Sequence, residues 1–241
     1  MLNSYNRDEY RNAAFPEVDS QAQSLYRFMS RVYGLMGAGL LMTGAAAYFV
    51  AGSSNLINIF VKNSPVFFGL LIVEVLMVIV LSAFIRKMSA ATAAAWFIAY
   101  SLVNGITMSV IFMVYTKSSI AATFFITAGG FGGLSLFGYM TKRSLGWIGN
   151  FCLYALFGII IASLVNIFLL KSSMFDYCLA YIGVLVFAGL TAYDTQNIKQ
   201  LGMSEEGEEM KQRYAVIGAL ELYLDFINLF LFLLRIFGGR K

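Results

Sequence analysis

The sequence predicts an all-α polytopic membrane protein, a bundle of seven transmembrane helices, and three observations carry that prediction. Hydrophobic residues make up 59% of the 241 and charged residues only 12%, about half the roughly 25% of a soluble domain. Mean hydropathy is correspondingly high, at +0.74. Seven apolar runs approach or exceed the ~20 residues that cross a hydrocarbon core as helix. These runs are continuous and do not alternate with period two, so helices rather than barrel strands are the spanning structure.

In chain order, the predicted spans are 32–51, 65–85, 91–113, 120–140, 147–170, 175–193 and 214–237. The polar stretch 1–31, with Arg7, Asp8, Glu9, Arg11, Glu17 and Asp19 ahead of any apolar run, lacks the basic-then-apolar layout of a cleaved signal peptide and reads as a retained cytoplasmic tail. Residues 32–241 form the membrane domain. Loops 86–89 and 141–146 force spans two and three, and spans four and five, into antiparallel hairpins. Glycines in the first and fourth spans, with Gly129-x-x-x-Gly133 the clearest spacing, are expected at close helix contacts. The connector 199–213 holds Glu205, Glu206, Glu208 and Glu209, read as a solvated helix start because carboxylates favour a helix amino terminus. Cys152 and Cys178 begin consecutive spans that run in opposite directions, so the two thiols lie at opposite faces and do not pair.

A net charge of +4 does not point to nucleic acid, because the basic residues are scattered over loops and form no patch. They read as a topology signal. With the amino terminus inside, Arg27, Arg31, Arg86, Lys87, Lys142, Arg143, Lys199, Lys211 and Arg213 face the cytoplasm, opposite Lys62, Lys117 and Lys171. Arg235, Arg240 and Lys241 break the pattern, and a re-entrant last segment is the alternative that would restore it. The chain has no histidine, which removes the usual neutral-pH titrating group and the commonest zinc or copper ligand. Proton sensing therefore falls to carboxylates.

Acids inside spans are costly, on the order of 2.5–3.5 kcal/mol at a helix centre, and they face protein or water rather than lipid. Glu221 and Asp225, four residues apart on one face of the seventh span, place that helix inside the bundle. Asp194, at the end of the sixth span, reads as part of the same site. Residue counting puts Glu221 closer in depth to Asp194 and leaves an Asp194–Asp225 hydrogen bond open. Carboxylates this close in a dry place do not all ionise readily and titrate as one cluster. Two carboxylates with Asn228 or Asn197 suit calcium better than a transition metal, whereas pure helix packing is the structural alternative. Arg86, closing the second span on the same side as Asp194, is the candidate latch, or else a plain topology anchor. Glu74, midway along that span, is a candidate lining group of the same pathway, and Tyr193 and Tyr223 are candidate hydrogen-bond donors to the neighbouring acids.

Two stretches, GLTAYDTQ at 189–196 and LYLDFINLF at 222–230, resemble those of the Bax inhibitor-1 family, and the resemblance extends from about 25 to 237. It implies a seven-helix bundle with the last helix central and a proton-sensitive calcium leak governed by an aspartate pair, carried onto Asp194 and Asp225. Asp194 and Asp225 are thereby the candidate calcium ligands as well as the pH sensor. The resemblance also implies a basic latch from the second helix, carried onto Arg86. Glu221, a third acid beside the pair, departs from that pattern. The short connections point to a bacterial inner-membrane member.

The leading reading is a pH-sensitive calcium leak with no permanent cofactor, whose partners are the lipid bilayer, calcium and protons. The rival is an interaction protein that modulates a membrane protease, another membrane protein or a stress or cell-death pathway, in which case the amino-terminal tail carries the activity. An enzyme is not expected: a carboxylate dyad could share a proton over a water, but no Gly-x-Gly-Asp accompanies the acids and no histidine pairs with a nucleophile.

Overall fold

A computed structural model of the chain describes residues 5–241, with side chains from Gln21 onward. Seven helices are long and apolar enough to cross a membrane, in agreement with the sequence. They are α1 (Tyr5–Ala51), α2 (Ser64–Phe84, ending in a 3-10 turn Ile85–Lys87), α3 (Ala90–Met108, continued by the turn Ile111–Val114), α4 (Lys117–Met140), α5 (Gly146–Val165, ending in a π turn Asn166–Leu170), α6 (Ser173–Gly202) and α7 (Glu208–Phe237). Among the described residues the one β pairing is an isolated bridge between Tyr115 and Arg240.

Several boundaries follow from local chemistry. The side chains of Ser89, Thr116 and Ser172 cap α3, α4 and α6 by accepting from Thr92 N, Ser119 N and Phe175 N, each satisfying one of the orphan amides at a helix start. Pro65 sits in the first turn of α2, where its missing N–H costs nothing. Between α5 and α6, Lys171 takes the left-handed conformation with φ 49°. That strain, roughly 1–2 kcal/mol for a side chain with a Cβ, is offset by buried Asn166, whose amide donates to Ser172 O at 3.1 Å and whose Oδ1 accepts from Ser172 N at 3.0 Å.

Two helices outrun their apolar stretches. α6 continues nine residues past Tyr193 without a break, and α7 begins at Glu208 rather than Tyr214. Most of the expected connector is therefore helix, with Glu208 and Glu209 in the first turn of α7, the helix-start role that the sequence favoured. Of the segment expected as a tail, residues 1–4 lie outside the described residues. From Tyr5 the chain is helical and enters the first span, Gln21–Ala51, unbroken.

The last helix is central. α7 packs on α1, α3, α4 and α6 and on the 3-10 end of α2. In its apolar window 56% of residues are buried, against 11% in α2 and in α5, which are the most lipid-exposed helices. At 30 residues it is about 45 Å long, enough to cross a ~30 Å core, and no re-entrant bend interrupts it.

The glycine expectation holds for Gly39 in the first span and needs correction for the fourth-span cluster. Gly129, Gly130, Gly132 and Gly133 meet nothing within 4 Å of an added Cβ and face outward, because the spacing does not say which face of α4 is buried. The close contacts fall at other glycines than this cluster, Gly39 of α1 and Gly138 of α4 among them. A Cβ on Gly138 would strike the backbone carbonyl of Ala192, one on Gly39 the Phe97 ring at 2.6 Å, and one on Gly105 Thr43 O at 2.6 Å.

The basic residues gather at one end of the bundle. There Arg213 Nη1 donates to Arg86 O at 2.7 Å, Lys199 Nζ to Tyr139 O at 2.9 Å and Gln196 Nε2 to Arg143 O at 2.9 Å. At the opposite end the exceptional cations have local partners: Arg235 pairs with Asp176 at 2.9 Å, and Lys241 Nζ donates to Phe112 O at 2.7 Å. Cys152 is buried and Cys178 exposed, both as free thiols.

Candidate functional site

Each residue of the 193–196 stretch leaves α6 in its own direction, as a helix turning about 100° per residue requires. The Tyr193 ring lies against α5 at Gly149, where a Cβ would come within 2.5 Å of it. Thr195 reaches α4, its Oγ1 2.9 Å from Ser135 Oγ, which in turn is 2.5 Å from the Tyr33 hydroxyl on α1. Gln196 clamps the α4–α5 loop by accepting from Leu145 N at 2.8 Å and donating to Arg143 O. With those three faces occupied, Asp194 is left facing α7.

There Asp194 and Asp225 line the same cavity as close neighbours, and a hydrogen bond between their carboxyls exists only when one of them carries a proton. With both ionised there is no donor between them, and Asp225 Oδ2 is then a buried oxygen without a partner, as is Glu221 Oε2. Asp225 is only 4% exposed. Asp194, Glu221, Asp225 and Asn228 all line one cavity of about 670 Å³ between α2, α5, α6 and α7. Asn228 spends an amide hydrogen on Leu224 O at 2.8 Å, and Asn197 is not among the lining residues. Among the described residues no group of three His, Cys, Asp or Glu side chains converges as a metal-holding site.

Glu74 belongs to a second, neighbouring cluster. Thr107 Oγ1 donates to its Oε1 at 2.6 Å and Asn104 Nδ2 to its Oε2 at 3.1 Å. Tyr223 donates to Asn104 Oδ1 at 2.8 Å and lies 2.6 Å from Thr43 Oγ1. The network ties α1, α2, α3 and α7 together, and it settles Tyr223 on the opposite side of α7 from Asp225, so neither tyrosine serves its adjacent acid. Glu74 lines a smaller cavity of about 240 Å³ whose wall shares Val75 and Leu224 with the larger one.

Arg86 holds neither aspartate. Its Nη2 lies 3.5 Å from the Tyr214 hydroxyl, seven residues or about 10 Å along α7 from Glu221. Among the described residues the ion pairs are Arg213–Glu209 and Arg235–Asp176. Asp176 escaped the sequence reading. The signal was present, since antiparallel spans six and seven bring the start of one beside the end of the other, and Arg235 lacked a partner. Thr195 and Gln196 stood in the GLTAYDTQ stretch without a role of their own, and Asn104 and Thr107 carried no comparable signal, being uncharged polar residues of a kind equally common in packing contacts.

Fold and site together define a multi-pass membrane protein whose central helix carries buried acids. The family profile described as inhibitor of apoptosis-promoting Bax1 matches residues 25–241, and the chain belongs to this Bax inhibitor-1 family. It is 49% identical over 232 residues to the inner membrane protein YbhL of Escherichia coli, covering 94% of this chain and 99% of that one. Proteins of Borreliella burgdorferi and Deinococcus radiodurans, both without an assigned function in their names, are 44% and 40% identical over 89% and 88% of the chain and 93% and 90% of their own lengths. The chain is a multi-pass inner-membrane protein.

Proposed function

We propose that this protein is a pH-sensitive calcium leak in which Asp194 and Asp225 share a proton and calcium is the cargo. The observation that supports this most is the pair itself: two neighbouring carboxyls, able to bond only through a shared proton, on two of the four helices that line the cavity, with unpartnered oxygens of Asp225 and Glu221 beside them. When the proton leaves, two anions stand side by side in a dry bundle, and a cation is the available neutralising partner. Protons and calcium then compete for the same oxygens, so calcium occupancy rises with pH. Calcium requires six to eight oxygen ligands. Asp194, Glu221, Asp225 and Asn228 supply four if each binds through one oxygen, so the ion then keeps part of its water and passes rather than being stored.

Glu74, one shared wall away, is a second carboxylate station on the route. Arg86, on Tyr214 at the basic end, guards the mouth and reaches the acids only if α2 and α7 shift relative to each other. The basic end is cytoplasmic in this reading, following the positive-inside rule.

The test is calcium flux into proteoliposomes between about pH 5 and pH 8 for the wild type, Asp194→Asn, Asp225→Asn and Glu221→Gln. Flux in the wild type varies with pH, and either Asp→Asn change flattens that dependence. Glu221→Gln shows whether the sensor is a pair or a triad. A folded wild type that passes no calcium at any pH overturns the leak and leaves the interaction reading in its place.

A further inference from the structure

We infer that the acid cavity also binds an amphipathic organic cation, an ammonium head on an alkyl or aryl tail, that enters from the lipid between α2 and α5. This rests on the reading of Asp194, Glu221 and Asp225 as a cation site, and it adds the class of molecule that the rest of the cavity fits.

The lining divides into two unequal parts. Apart from the three acids, Asn228 and Ser163, all ten remaining lining residues are Val, Leu, Ile or Phe. A bare or hydrated metal ion engages the acid corner and leaves those ten against water or vacant space. An ammonium with an apolar tail engages both. The volume, about 670 Å³, lies in the range of roughly 300–1,000 Å³ typical of organic ligands and far exceeds the space of one ion.

The head group is matched as well. Glu221 Oε2 and Asp225 Oδ2 are buried and have no hydrogen-bond partner. A primary ammonium brings three N–H donors and a positive charge, enough to satisfy both oxygens and a third. No cationic side chain competes, since Arg86 lies on Tyr214 and the ion pairs of Arg213 and Arg235 lie at opposite ends of the bundle.

The route is lateral. Val75 on α2 and Leu153, Ile160 and Leu164 on α5 line the cavity, yet they are 59%, 42%, 48% and 50% exposed. In a membrane-spanning helix, exposed apolar side chains face lipid, so the rim of the cavity opens to the bilayer, where amphiphiles concentrate with their charged heads drawn inward.

The experiment measures saturable binding of radiolabelled hexylamine to the full chain in nanodiscs, with empty nanodiscs subtracted. Hexanol, the same tail without charge, and methylammonium, the charge without a tail, serve as competitors. Hexylamine binds saturably and neither competitor displaces it. The Glu221→Gln/Asp225→Asn double variant weakens binding by roughly tenfold or more. Ile160→Trp, an outward-facing rim change that leaves the acids intact, also weakens it, and decides the matter if the double variant does not fold. Absence of saturable binding to the wild type, or binding that Ile160→Trp leaves unchanged, overturns the proposal. The two readings separate in parallel flux measurements: acid-dependent calcium flux without hexylamine binding removes this inference and leaves the leak, whereas acid-dependent hexylamine binding without calcium flux removes the leak and leaves this inference.

Discussion

Tyr223 shows how a single side chain divides the interior of α7 into two sites. Its hydroxyl completes the chain from Thr43 through Asn104 to Glu74, and its fully buried ring sits edge-on to Phe97 and Tyr100 at 5.6 and 5.8 Å. Two residues on, Asp225 faces the other way, to Asp194. Tyr223→Phe keeps the ring packing but leaves Asn104 Oδ1 without its donor, which costs about 1–3 kcal/mol for a buried polar group. Thermal unfolding in detergent or nanodiscs reads this as a lowered Tm, and an unchanged Tm would show that Asn104 finds another donor. At this scale the sequence disclosed charge and little else. Asp194, Glu221, Asp225 and Glu74 stand out because an acid in an apolar run demands a reason. Asn104, Thr107 and Gln196 do not, and which acid each tyrosine served depended on helix rotation that neighbouring residues in sequence do not fix.

The helices themselves were legible in number and approximate position, because membrane length and continuous apolarity are one-dimensional properties. Their ends were less so. Hydropathy falls where the bilayer ends, whereas α6 and α7 continue as polar helices through Lys199 and from Glu208. Packing faces were misread for the same reason: a glycine spacing names a helix, and only the fold names the face. The contrast between Gly138 and Gly132 makes this measurable. Gly138→Ala drives a methyl into the Ala192 carbonyl on α6, a backbone atom that cannot step aside, whereas Gly132 has open space. Gly138→Ala is expected to destabilise by about 1–3 kcal/mol and Gly132→Ala to be neutral or slightly stabilising through helix propensity, as judged by paired thermal unfolding of the two variants. Equal losses would contradict the placement of α4 against α6.

Across the whole molecule, the cost of placing acids in a span foretold a central last helix, and the bundle is built that way. The meeting of Asp194 with α7 was read from the acids themselves; what sequence could not supply was that α2 and α5 form the thin, lipid-facing wall of the cavity, which depends on long-range packing. The same architecture accounts for the charge pattern, with Arg235 neutralised by Asp176 at the end where the positive-inside rule expects few cations. In the proposed leak, the acid pair is the element through which protons, calcium and the position of α7 are linked, since a change in its charge would act on the helix that touches most of the bundle. The measurement that reaches this link most directly is infrared difference spectroscopy of the protonated carboxyl C=O stretch across about pH 5 to pH 8, in a Glu221→Gln background that isolates the pair. A shared proton predicts one carboxyl band that titrates in a single step and that Asp194→Asn and Asp225→Asn each abolish or shift. Two bands that titrate independently, each removed only by its own substitution, would contradict the shared proton and the gating built on it.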